Sequence, residues 1–432
     1  MKYLSPLIMA LLLQVMPALP QMTESPDYKE FFEEGEYFFN RNDFKEAVYY
    51  FLKLMDYQPD NASFNFKIGE CYLNIPGQET LAIPYLEKAI KHLTEKNKYK
   101  KRSFDETNAP LHALFYLGNA YRIDNQLDKA LKAYNTFVLS PFYAGNYNVT
   151  IVENEIKSCE RAKIIEDNPV RIIEIHLPEN INTSASELYP VVSFDEKRLV
   201  FVRRLKFYDA IFFSLRENDI WADPVNITPD IGSDGDFYPV SLSKTGGELY
   251  LVRRLENSSD IYVSYYKDNR WTKAEKLGKH INSSANEIAA SISGDGSLLF
   301  FASDRKSGKG GYDLFVARKT ASGEWGKAKN LGKTINTPFD ETSPVVVKNG
   351  KVLFFSSKGH FNMGGFDIFY SIRENNKWTT PVNIGSPVNN TGDNEFYYVV
   401  SDGKAGYMSR FPENETSEDI YKLLIQSNLP DF

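Results

Sequence analysis

The sequence predicts an α+β multidomain protein: N-terminal alpha-alpha helical repeats followed by an all-beta five-bladed propeller. Three observations carry this. From Tyr28 apolar residues recur at helical spacing, with self-similarity at roughly 34 residues. After Asn168-Pro169 the period falls to two and a second repeat of about 50 residues begins. The chain has 432 residues, more than one core usually spans, since cores stop growing near about 250 to 300 residues.

Met1-Lys2, the apolar run Leu7 to Leu13, and the small or turn residues Ala18 and Pro20 read as a secretory signal peptide over 1–21. Such a run is too short to span a membrane as a mature helix, and it holds no Cys for a lipid anchor. The mature protein is expected to be exported, periplasmic or associated with the outer membrane, without a direct membrane span. Hydrophobic content of 42% with 25% charged residues suits a soluble globular chain. The formal net charge of −7 disfavours nucleic acid as a partner. Cys71 and Cys159 are too few for a metal-ligand framework. They suit either one disulfide or two buried thiols.

The helical domain is placed at 28–166. Gly35, Gly69 and Gly118 align, followed by Phe38, Tyr72 and Tyr121 and then by Ala47, Ala82 and Ala130. Small residues let paired helices approach, and aromatics fill the space between them. These positions resemble tetratricopeptide repeats, in units near 28–60, 61–94 and 110–143, with a capping helix over 149–165. The resemblance implies a concave groove for a partner's extended segment. On that face fall Phe32, Glu36, Phe39, Phe66, Glu70, Phe115, Asn119 and Arg122, with inter-repeat packing as the plainer role for the phenylalanines. The basic stretch Lys96, Lys98, Lys100, Lys101 and Arg102 reads as a solvated loop.

The propeller is placed at 170–432. Trp221, Trp271, Trp325 and Trp378 mark the repeat, and each follows an Asp that opens a strand: Asp209, Asp260, Asp313 and Asp367, with Asp419 in a fifth copy lacking its Trp. Gly294-Asp295-Gly296 and Lys348-Asn349-Gly350 are hairpin signals. The fifth unit lacks an outer strand, and the orphan 171–176, followed by Asn180-Ile181-Asn182, is expected to close the ring.

These repeats resemble TolB-like (WD-type) propellers of bacterial envelope proteins. The wording Ile335 to Pro344 and Gly364-Gly365-Phe366-Asp367-Ile368-Phe369 is similar to proteins that join tetratricopeptide repeats, this propeller and an OmpA-like domain, several of them linked to type IX secretion and gliding. No OmpA-like domain follows before Phe432, so anchoring is expected to run through a partner.

Repetition argues that the recurring aspartates satisfy backbone donors at turns. A second acidic set, Glu187, Asp236, Glu287, Glu341 and Glu395, could form an electronegative propeller mouth binding a cation or a basic segment. No acid stands out from the repeat, which argues against a hydrolase, whose carboxylates need differing environments. Catalytic signatures are missing, His280 and His360 read as solvent-facing, and Phe361 and Met363 serve either as a binding patch or as a loop staple. The expected function is a non-enzymatic protein–protein interaction scaffold of the envelope, with no cofactor or metal, binding outer-membrane or peptidoglycan-associated proteins. The alternative is a glycan-binding or glycan-cleaving propeller.

Overall fold

The computed structural model describes residues 27–400, 403–412 and 415–426; the signal segment 1–21 lies outside them. Six helices pair as α1 (Tyr28–Phe39) with α2 (Phe44–Lys53), α3 (Ala62–Leu73) with α4 (Ala82–Ala89), and α5 (Ala113–Ile123) with α6 (Leu127–Val138). A longer α7 (Val149–Glu166) follows. Asp27, Asp43, Asn61 and Asn148 start their helices by accepting free backbone N–H groups.

The aligned glycines are close-approach sites. A Cβ on Gly118 would stand 2.3 Å from Cε1 of Tyr134, and one on Gly35 would stand 2.4 Å from Cε1 of Phe51. Tyr134 is pinned, since it is fully buried and its hydroxyl donates to Asn119 at 2.7 Å. Gly118→Ala is therefore expected to destabilise the helical module by about 1–3 kcal/mol through overpacking, despite the better helix propensity of alanine. Urea unfolding measures this, and an unchanged midpoint would mean that the ring yields.

The segment 95–108 is not a free loop. It returns across the face of α1 and α3, where Phe104 packs on Phe32, Phe64 and Tyr57, and Tyr99 packs on Phe66. Thr107 O accepts from Ala62 N at 3.0 Å. Its five cations stay exposed, as expected of a solvated stretch, while Lys96 donates to Asn146 O, Arg102 donates to Asn40, and Lys101 lies over Phe39. Cys71 and Cys159 are free and buried, on α3 and α7.

Five antiparallel sheets follow, each with its first strand innermost. Blade 1 holds Glu187–Val192, Arg198–Arg204 and Asp209–Glu217, then Ile220–Trp221 and Val225–Asn226. Blades 2 to 4 repeat this from Phe237, Glu287 and Glu341, with short Trp-led outer segments. Blade 5 comprises Tyr398–Val400, Ala405–Arg410 and Asp419–Ile425, and its outer strand is Ile172–His176, from the start of the propeller. Inner strands touch in cyclic order, including blade 5 on blade 1, so the ring is closed. Buried asparagines stitch the blades: Asn182, Asn282, Asn336 and Asn389 each accept the N–H of one strand residue and donate to its C=O, respectively Ile420, Ile261, Leu314 and Ile368. Both marked hairpins contain positive φ, at Gly296 and at Lys348, Asn349 and Gly350.

Candidate functional site

The structure corrects the open aromatic groove. Phe32 and Phe66 are each 2% exposed, and the folded-back segment covers them. Phe115 packs on Tyr134 and Phe137, Phe39 on Phe44 and Phe51, and Asn119 receives the Tyr134 hydroxyl. Glu36 is paired with buried Lys67, whose ammonium burial pulls below its usual range. Glu70, under the same cover, meets the Tyr116 hydroxyl at 3.5 Å, and burial pushes its carboxyl up. The face has its own occupant because aromatic side chains of 95–108 bury more area there than in solvent.

The even acidic ring is corrected too. Glu187, Glu287 and Glu341 are 0% exposed. Each accepts the backbone N–H and hydroxyl of a residue four positions earlier, Thr183, Ser283 or Thr337. Arg203 completes Glu187, Ser303 with Arg305 completes Glu287, and Ser357 completes Glu341. Asp236 pairs with Arg253 at 2.6 Å. Blade 5 differs. There Asn394 takes the turn position, accepting Asn390 N at 2.8 Å, and Glu395 is displaced by one residue into the open mouth. Spacing could have found this, because five residues separate Asn182, Asn282 and Asn336 from their acids, and five from Asn389 lands on Asn394.

The recurring aspartates divide as well. Asp313 and Asp367 accept backbone N–H groups, whereas Asp209, Asp260 and Asp419 face Tyr238, Lys276 and His176. His360 is no solvent-facing loop residue, since its ring lies on Phe355 and Phe369 and bonds Ile335 O.

Glu395 faces a vestibule of about 570 Å³ at the mouth of the propeller. The helical module roofs it: Pro76 and Glu79, from the turn after α3, join Tyr189, Arg204, Phe396, Met408, Phe411 and Glu418 in its wall. Deeper in, the Arg254 guanidinium lies 5.4 Å from the Tyr189 ring and 4.5 Å from that of Tyr238. Tyr189 has φ of +52° at a bulge in its strand, a strained arrangement that re-aims side chains near sites. Burial in this mouth raises the Glu395 carboxyl, with Arg254 pulling the other way.

The roof is bolted down. Arg122 is ion-paired with Glu155 of α7 at 3.1 Å and donates to Thr391 O of the propeller. Arg161 donates to His360 O and Asn362 Oδ1 and lies over the Phe361 ring, while Asn154 donates to Lys358 O. Met363 is 0% exposed within the helical core. Phe361 and Met363 thus staple one module to the other.

Glu418 holds its proton up to about 7, because burial and nearby Glu79 outweigh Arg204. A raised acid stabilises the fold at low pH: its contribution is complete below the unfolded value of 4.5 and fades as pH rises through about 7. Carboxyl NMR should show a Glu418 midpoint near neutrality, and Glu418→Gln should remove part of the fall in stability over that window. A midpoint below about 5 contradicts this environment.

Fold and site together define a two-module architecture, antiparallel helix pairs roofing a five-bladed propeller. Neither a protein-family model nor a curated protein matches the chain. Solved structures that resemble it include TolB from Acinetobacter baumannii, at 13% identity and TM-score 0.37, over 58% of this chain and 56% of that one. The chain therefore spans little over half the length of that TolB. The alpha-L-arabinofuranosidase from Lactobacillus brevis is 13% identical, with TM-score 0.41, over 60% and 97%. The first TPR domain of human RPAP3 is 19% identical, with TM-score 0.25, over 33% and 95%. Among the described residues, no helix is long and apolar enough to cross a membrane, and no cluster of His, Cys, Asp and Glu is arranged to hold a metal.

Proposed function

We propose that the chain is a non-enzymatic protein–protein interaction scaffold, exported to the bacterial envelope and accessory to secretion, motility or outer-membrane assembly. The observation that carries this reading is the roofed vestibule, whose wall comes from both modules. A partner seated there touches helices and blades at once, which adds contact area without a second independent binding event. The aromatic faces of Tyr189 and Tyr238 are already covered by Arg254, so they offer a sugar ring little to stack on. The leader sequence and the repeat wording support the envelope assignment.

The test is a photo-crosslinking residue at Phe396 in cells that produce the protein. The expected result is one discrete envelope-protein adduct that Arg254→Glu abolishes. Adducts unaffected by that change count against the reading. The second reading, glycan cleavage, draws on one feature: Glu395 breaks the blade symmetry in a vestibule that the proton-holding Glu418 also lines. Saccharide release from envelope glycans that Glu395→Gln abolishes would replace the scaffold.

A further inference from the structure

The propeller axis has a second end. Inner strands run from the roofed mouth at Glu187 to hairpins on the opposite face, and there lies a pit of about 190 Å³. Its wall takes one apolar side chain from each blade: Val192, Leu242, Ile292, Val347 and Val400. Tyr398 closes the floor, its buried hydroxyl accepting Leu242 N at 3.0 Å and lying 3.5 Å from Ser241 Oγ. The pit is therefore blind, separated from the vestibule by a bonded plug.

Among the described residues, the charged side chains lining the pit are lysines. Lys244, on the hairpin of blade 2, and Lys348, on that of blade 4, stand exposed on either side of the blade 3 hairpin, with Lys244 Nζ 5.5 Å from the centre of the Phe194 ring. The acids of the neighbouring hairpins are turned away: Asp195 and Asp295 each accept their own hairpin's serine hydroxyl, from Ser193 and Ser293, and backbone N–H groups beyond it. An apolar cavity of about 150 Å³ holds a benzene ring in preference to water. A pit of this size thus has room for one aryl or short alkyl group, and ammonium groups at its lip attract an anion attached to that group.

The geometry points to a binding site for a small organic carboxylate, its aryl or short alkyl tail in the pit and its carboxylate between Lys244 and Lys348. Charge complementarity selects this occupant over a neutral or cationic amphiphile. The pit's closed floor and modest volume select a free small molecule over a chain segment, which would need an exit. The site stands apart from the vestibule and does not depend on the scaffold reading.

The probes are phenylpropionate and octanoate, titrated into the full chain by calorimetry and by methyl NMR. Both should saturate, with shifts concentrated on Val192, Leu242, Ile292 and Val347. Phenylpropanol and phenylpropylamine should bind at least about tenfold more weakly, as should acetate, which lacks the tail. Lys244→Gln with Lys348→Gln, on two exposed residues that leave the fold intact, should weaken phenylpropionate by about tenfold or more. Equal binding of the alcohol, or an unchanged affinity in the double variant, overturns the charge reading. Shifts centred elsewhere, no saturation, or binding confined to an acetylated peptide ending in phenylalanine overturn the proposal.

Discussion

Proline at both Ile173 and Ile175 is expected to lower propeller stability by about 2–6 kcal/mol, because each removes a ladder donor and strands an acceptor worth about 1–3 kcal/mol. The register settles which residues matter. Gln426 N donates to Arg171 O and Leu177 N donates to Ile420 O, so odd-numbered residues of this strand bond Asp419–Ile425. Glu174 points its N–H away, and proline there should cost no more than about 1 kcal/mol, chiefly its exposed pair with Arg410. Side-chain burial is not the cause. Ile173 and Ile175 are 42% and 43% exposed, so the backbone of this strand does the closing. An opened blade 5 also presents a bare edge, which invites self-association. Thermal unfolding and light scattering read both effects. Equal behaviour of the double-proline and Glu174→Pro chains would reject closure by this strand.

Arg122→Ala is expected to cost about 3–5 kcal/mol, since removing one partner leaves the Glu155 carboxylate buried without its counter-charge. Arg122 also loses its bond to Thr391 O, so the helical module should detach from the propeller before either unfolds globally. Urea unfolding followed by fluorescence and by hydrogen exchange near 389–394 should resolve two transitions where the parent shows one. Glu155→Gln added to Arg122→Ala should recover part of the loss, because the uncompensated charge is gone. A single unshifted transition would show that the bolt carries no load. The repeat alignment places Arg122 on an open groove; the structure sets it 6% exposed at the junction.

Periodicity was legible wherever a residue serves its own repeat. Gly35, Gly69 and Gly118 mark helix contacts because a Cβ there collides with a ring or a leucine, and that constraint is local to each pair. Asn182, Asn282 and Asn336 likewise recur because each blade needs the same stitch to its neighbour. The candidate sites were less legible. Phe32 and Phe66 occupy the right face of their helices, but the cover laid on them comes from residues 95–108, which carry no repeat signal. Glu395 looked like a fifth copy until one added residue passed its turn role to Asn394.

The sequence by itself determined the two modules, the number of blades and the strand that completes the ring, because spacing and side-chain alternation are properties of the chain read in order. Only the tertiary structure decided that the helices roof the propeller mouth, that Met363 and Arg122 hold them there, and that the far end of the axis is a lysine-rimmed pit. Those features arise where unlike segments distant in sequence meet. Their contacts depend on orientation and charge in space, for which a one-dimensional repeat holds no signal.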